Sequence, residues 1–552
     1  MNKHYFAISG LCLLSLATPL AISSSSSVIP TLAEKEYTNK VVLRVKNMGD
    51  YIYVQEEPED AIDLIHQFEN WMRDNTKYKN VVVSYETTDT NETLLTEMQT
   101  GKSSYDLVCP SDYMIQKMIK EDLIVPLNRS NRDELLANYD QYASKYVRSQ
   151  LDNIEATHIN STGQSETVKL GDYTVGYMWG TLGLLFNPEY ANYNERQIVE
   201  DMTSWDVLWN QDYNGTISIK DSMRDTYAAA LMHVYKDELE GFRTRLSSDP
   251  TYTTAQYTSD IQKIFDRVSD EDIAKVKASL EELKNNIFGL EVDSGKMDIV
   301  QKRIGINLAW SGDAVYSMEL GENENINLLY AIPLEGSNVW FDGWVMPNNP
   351  RSDAQEEVAY YFLDFLSMPE NAAQNMEYTG YTSFIGGEDI LNLARDWYDI
   401  RTEVAEEEGI EFADVAISED WDAVDLNYIF NETFNTDAYV PNDDYIFYYD
   451  GYFHTVEGEE EYSNISVGGD FFCQYPDFDT LVRCAVMKDY GEQNEKVVKM
   501  WEKFKTSEMP LWTIIVLIIE IGTGASLFLF FLINKHIKLK LRAKRKLQRQ
   551  KN

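Results

Sequence analysis

The chain has 552 residues, 91 of them acidic against 48 basic, and a formal net charge of −43. That length suffices for two or more domains with real cores, and a field of that sign excludes nucleic acid as a partner by repulsion. Four cysteines do not make a disulfide scaffold.

In chain order, Lys3 precedes an apolar run from Phe6 to Ile22, interrupted by Pro19 and closed by Ser23–Ser27. Residues 1–33 are therefore expected to be a signal peptide, or an N-terminal anchor if left uncleaved. Cys12 lies in that run with no lipobox around it, so a lipid anchor is not expected. From Lys40 strand and helix alternate. VVLRV (41–45) predicts a strand, and Ile62, Ile65, Phe68 and Trp71 predict a helix over 60–74. NVVVSYE returns to strand, LLTEMQT to helix and YDLVCP to strand, the rhythm of a doubly wound α/β domain. A second such region follows Tyr177, with Trp205 and Trp209 on a short helix. Ile273, Val276, Leu280, Leu283 and Ile287 stripe a helix that stops at Gly289, and Ser352 with Gln355 forms a capping box opening a helix through Leu366.

Between these helices, GINLAWSGDAVYSMELGENENINLLYAIPLEGSNVWFDGWVMP (305–347) is the stretch with the clearest chemistry. Trp310 follows an apolar strand-like run, and Trp340 and Asp342 stand two residues apart on another, so they face the same side. An indole face beside a carboxylate suits an organic ammonium, which the ring attracts and the carboxylate hydrogen-bonds. Both tryptophans could equally be core residues.

Residues 386–474 lose the α/β rhythm and become acidic and rich in Tyr and Phe, composition that favours a folded insert over a linker. Cys109 is expected to pack in its strand, while Cys473 and Cys484 could pair across a short loop. Residues 511–533 are about one bilayer thickness of apolar side chains with a single charge, Glu520. The tail 534–552 carries nine Lys or Arg and no acid, which places it in the cytoplasm and the residues before 510 outside.

Taken together, these segments resemble the periplasmic spermidine/putrescine-binding proteins of bacterial ABC transporters. YDLVCPSDYMIQKMIKEDLIVPL (105–127) is the most specific block. VKNMGDYI, YMWGTLGLLFN, TSWDVLWNQDYNGTISIKDSMRD, the 305–347 stretch, GYTSF and VMKDYGEQNEKVVKMWEKFK add to it. The resemblance covers roughly 41–385 and 475–505. It implies an α/β, two-lobed periplasmic-binding-protein fold (type II), each lobe a doubly wound sheet, here followed by a C-terminal transmembrane helix. One lobe would comprise 41–179 with 341–385, and the other 180–340 with 475–508.

The resemblance also implies site residues: Tyr51 with Asp50 beside it in the first turn, Ser111 and Tyr113, Asp225 for one amine end, Trp310 and Trp340 sandwiching the aliphatic chain, Asp342 for the central amine, and Tyr381 in the closing turn. Met48, Ser222 and Met487 depart from the family pattern; at Ser222 a carboxylate is lost, which implies a ligand with fewer charges or an acid supplied by the insert. Taken residue by residue, Tyr51 and Tyr113 could be lobe packing, Asp225 after Arg224 a surface ion pair, and Asp342 a solvated strand end.

No nucleophile elbow or phosphate loop is present, and the six histidines lack metal-ligand spacing, so the chain reads as a binding protein, not an enzyme, with no cofactor and no metal. Its expected partners are a small cationic ligand, a separate ABC permease and ATPase, and the membrane through 511–533. A membrane-tethered sensor or surface interaction protein that has kept the fold is the alternative, as is binding of another small cation; a tail of 19 residues argues against an output device.

Overall fold

A computed structural model describes residues 36–506 apart from 54–62, 102–103, 128–134, 160–161, 192, 420, 435–439 and 450–465. The expected signal segment, the 511–533 span and the basic tail lie outside the described residues. Among the described residues, no helix is long and apolar enough to cross a membrane.

Strand Val41–Met48 pairs in parallel with Val81–Thr88 on one side and with Leu107–Val108 on the other. Parallel neighbours need crossovers, and helices Leu64–Asn75 and Asn91–Gln99 provide them. Asp63 caps the first helix by accepting from the His66 amide at 2.8 Å. Its buried face is Leu64, Ile65, Phe68 and Met72. Trp71, expected on that face, is only half-buried, because Met72 takes the inward position one residue on.

Two long strands organise the rest. Thr174–Phe186 is buried along its whole length. Its first half pairs antiparallel with Ser337–Pro347, and its second half with Ile306–Trp310. The latter lies parallel to Ile217–Lys220, which in turn pairs with Ile287–Glu291. The two sets of parallel strands are thus joined into one network through the crossing pair.

Apolar side chains separate into two large cores. One includes Leu43, Phe68, Ile115, Trp344 and Phe362; the other includes Leu184, Trp205, Ile219, Leu308 and Trp501. Trp310 and Tyr113 are half-buried and touch both. The Ser352–Gln355 capping box opens helix Asp353–Leu366, and Trp205–Trp209 forms a short 3-10 turn. Helix Asp270–Leu283 ends earlier than the apolar stripe implied. Ile287 and Gly289 belong instead to the edge strand Ile287–Glu291, where Gly289 pairs with Ser218.

Beyond residue 386 the chain packs largely by its rings. Helices Glu388–Tyr398 and Ile400–Glu408 precede a short hairpin of Asp422–Asp425 with Ile446–Tyr449. Tyr398 stacks on Phe471 at 4.9 Å, and Tyr428, Phe430, Phe447 and Tyr475 join the first core. The possible Cys473–Cys484 disulfide does not form: both thiols are free and buried, Cys473 against Met318 and Cys484 donating to the Thr480 carbonyl. Helix Asn494–Lys505 buries Val497, Met500, Trp501 and Phe504 in the second core.

Candidate functional site

The site begins on strand Ser337–Pro347. Trp340 lies opposite Gly180 and Asp342 opposite Met178, and the register slips immediately after Asp342. A Cβ on Gly180 would collide with Ser311 Oγ and the Trp340 ring, so glycine there makes the seat for the indole. Gly312 does the same for Tyr381. Both aromatic walls therefore depend on backbone brought close enough to support a flat ring.

Asp342 is 8% exposed, so it is not a solvated strand end. Its Oδ2 accepts from Tyr51 Oη at 2.8 Å, and Ser111 forms an isolated antiparallel bridge with it. Its Oδ1 is buried with no hydrogen-bond partner, and the same holds for Trp340 Nε1. Burial pushes the Asp342 carboxyl up to about 6, against the pull of hydrogen bonds from Ser111 and Tyr51. The Tyr51 hydroxyl is likewise raised well above its ordinary range, first by burial and then by the Asp342 charge. Tyr51 is held in turn by its carbonyl, which accepts from Tyr177 Oη at 2.6 Å and Asn47 Nδ2 at 3.2 Å. Its ring meets Tyr177 and Tyr381 edge-on at 5.4 and 5.2 Å, and Tyr381 meets Trp340 at 5.5 Å.

A second group faces the first from the other core. Ser222 caps helix Met223–Val234, and Asp225 sits in its first turn, 7% exposed. Burial raises the Asp225 carboxyl, and hydrogen bonds from Ser222 and Trp310 draw it back. Lys220, two residues before the cap, is fully buried. Its Nζ lies 2.8 Å from Asp313 Oδ2 and 2.9 Å from Glu291 Oε1, and 4.4 Å from the centroid of the Trp310 ring. Burial alone would push Asp313 up, but the Lys220 and Lys296 ammoniums outweigh it and hold that carboxyl below its usual value. Asp313 Oδ1 accepts from Tyr381 Oη at 2.8 Å, which ties this group to the Asp342 group.

The circuit closes through Arg224. Its guanidinium lies 4.0 Å from the Tyr113 ring centroid and 4.3 Å from that of Tyr490, and it donates to the Lys488 carbonyl at 2.8 Å. At 3% exposure it is no surface ion-pair partner for Asp225. Tyr113 thus faces a protein cation.

Of the residues singled out in the sequence, Tyr51, Ser111, Trp340, Asp342 and Tyr381 come together around one carboxylate. Asp225 and Trp310 form the opposite wall, and Tyr113 is joined to it through Arg224. Asp50 is exposed, in a left-handed turn at φ 50°. That turn instead brings Tyr51 inward. Met487 contributes its carbonyl, which accepts from Gln116 Nε2 at 3.2 Å. Sequence reasoning missed Lys220, Glu291, Asp313 and Arg224. The available signal was a lysine closing the apolar run TISIK and an aspartate three residues after Trp310.

The described geometry is that of two parallel-strand sheets joined by crossing strands, with buried polar and aromatic side chains gathered where they meet. The family profile of bacterial extracellular solute-binding proteins matches residues 63–387, more than half of the chain. The chain belongs to that family. Its fold is the mixed α/β fold of periplasmic binding proteins. The crystal structure of the Tp0655 (TpPotD) lipoprotein of Treponema pallidum superimposes with a TM-score of 0.50 at 16% identity, covering 84% of this solute-binding protein and 99% of that chain. Among curated relatives, the spermidine/putrescine-binding periplasmic protein of Escherichia coli K12 is 24% identical over 307 residues, which is 55% of this chain and 71% of the relative. The putrescine-binding periplasmic protein PotF of the same organism is 23% identical over 364 residues, 64% of this chain and 80% of the relative. These relatives are binding proteins, not enzymes.

Proposed function

We propose that this solute-binding protein is the extracytoplasmic substrate-binding component of an ABC importer for polyamines such as putrescine and spermidine. It captures the cation between two lobes and delivers it to a separate permease driven by an ATPase, with residues 511–533 as its membrane tether. The lobes are taken as 41–179 with 341–385 and 180–340 with 475–508. The observation that carries this reading is Asp342: a buried carboxylate raised to about 6, with one oxygen unpartnered, beside an indole whose N–H also lacks a partner. A buried carboxylate without a cation is costly, and an ammonium between that oxygen and the aromatic walls offsets the cost. Asp225 offers a second carboxylate across the cleft. A ligand with amines at both ends of an aliphatic chain satisfies both acids while its methylenes lie between Trp340, Trp310 and the tyrosines. The spermidine and putrescine named for the curated relatives agree with this chemistry.

Calorimetric titration of the full chain with putrescine, spermidine, cadaverine, γ-aminobutyrate and basic amino acids tests the reading. A di- or polyamine should bind tightest. Asp342→Asn should weaken that binding by about 2–5 kcal/mol, and Trp340→Ala should cost about 2 kcal/mol or more through lost stacking. Preference for an acidic ligand, or unchanged affinity in both folded variants, would overturn the assignment.

A further inference from the structure

Lys220 places a primary ammonium in the same kind of setting that the cleft offers to an external amine. Its Nζ is met by Asp313 Oδ2 at 2.8 Å, Glu291 Oε1 at 2.9 Å and the Val292 carbonyl at 3.1 Å, under the Trp310 ring at 4.4 Å. The Val292 carbonyl and Asp313 Oδ2 accept hydrogen bonds from this ammonium, and Glu291 adds an ion pair at 2.9 Å. The other oxygen of Asp313 is also engaged, by Tyr381 Oη at 2.8 Å and by Lys296 Nζ at 3.8 Å. On this side of the cleft the carboxylates are answered from within the chain. Asp225 is the exception here, held by neutral donors with Lys220 acting on it at longer range, and on the other side Asp342 Oδ1 has no partner.

We infer that Lys220 is a built-in ammonium that fills the Trp310 end of the cleft and restricts the ligand to a short cation with no more than two positive charges. The inference rests on the cation-binding reading above and makes Lys220 a specificity determinant within it. A third ammonium entering the cleft would find Asp313 and Glu291 already paired with Lys220, and a desolvated ammonium left without its own acceptor is strongly disfavoured. The same lysine would make removal of its charge productive, since Asp313 and Glu291 would then present uncompensated carboxylates to whatever cation could reach them.

The test titrates butylamine, putrescine and spermidine into the full chain and into Lys220→Met and Lys220→Arg. In the native chain putrescine should bind about tenfold or more tighter than spermidine, and Lys220→Met should shift the spermidine-to-putrescine affinity ratio by about tenfold or more towards spermidine. Lys220→Arg keeps a cation in place and should keep the native order. Equal affinity of the native chain for putrescine and spermidine, or an unchanged ratio in Lys220→Met, overturns the inference while leaving the cation cleft standing. Failure of every amine to bind the native chain instead defeats the cation reading itself. Should Lys220→Met not fold, the native series with Lys220→Arg decides the matter on the same criteria.

Discussion

Asp342 and Asp313 are two buried aspartates close to two tryptophans, and burial has opposite outcomes for them. Asp342 stands two residues after Trp340 and is pushed up to about 6; Asp313 stands three residues after Trp310 and is held below the usual carboxylate range. The difference lies in what each oxygen meets. Asp313 has Lys220, Lys296 and Tyr381 around it, whereas Asp342 meets the neutral hydroxyls of Tyr51 and Ser111 and its Oδ1 lacks a hydrogen-bond partner. A low-dielectric site penalises charge in both places, and only a supplied cation reverses the sign. One aspartate is thus part of the scaffold, and the other is left for a ligand to complete.

Removing the scaffold carboxylate should break this comparison most severely. Asp313→Asn leaves the Lys220 ammonium with Glu291 as its remaining paired carboxylate and should destabilise the fold by about 3–5 kcal/mol, read as a lower urea midpoint in the absence of ligand. Asp342→Asn removes an unpaired buried charge and should leave the ligand-free stability unchanged or higher, so an equal loss in both variants would erase the distinction.

Tyr381→Phe sharpens it. The ring against Trp340 and Tyr51 stays, while the hydrogen bond to Asp313 goes, at a cost of about 1.5–3 kcal/mol for a bond to a charged group. Denaturation should show that cost, and polyamine affinity should change far less. If affinity collapses and stability does not, Tyr381 belongs to the ligand rather than to Asp313.

Acidity separates the two aspartates with the smallest effect. A raised carboxyl such as Asp342 contributes stability that is present below its unfolded value and lost as pH rises through about 6. A depressed carboxyl such as Asp313 contributes stability present above its unfolded value and lost as pH falls through its lower folded value. A cation competes with the proton at Asp342, so polyamine affinity should fall about tenfold, or about 1.4 kcal/mol, between pH 7 and pH 5. Affinity independent of pH over that window, measured calorimetrically in buffers of matched ionic strength, would place the ligand's amine elsewhere.

How much of this was legible in the sequence depended on distance along the chain. The shared face of Trp340 and Asp342 follows from strand alternation, and the Ser352 capping box from a spacing of three residues; both stand in the structure. Helix Asp270–Leu283 was legible through Leu283, but its stripe ran on into Ile287 because a strand's inward residue continues an apolar pattern as well as a helix's does. The Lys220–Asp313 pair was illegible, since 93 residues separate its members and only the pairing of Ile217–Lys220 with Ile306–Trp310 brings their strands side by side. The exposure of Asp50 was not legible either, because adjacency to the buried Tyr51 does not say which way a side chain in a left-handed turn points. The pairing of Cys473 and Cys484 stayed open in the sequence because closeness along the chain says nothing about which way each thiol points, and both are free.

The slip in register between Asp342 and Gly343 has a mechanical meaning. A ladder of backbone bonds is stiff where it is regular and compliant where one rung is out of step. The carboxylate proposed to grip the ligand is the last residue before that compliant point, on a strand that serves both halves of the molecule. We expect force applied at Asp342 to act at that irregular rung with almost no lever arm.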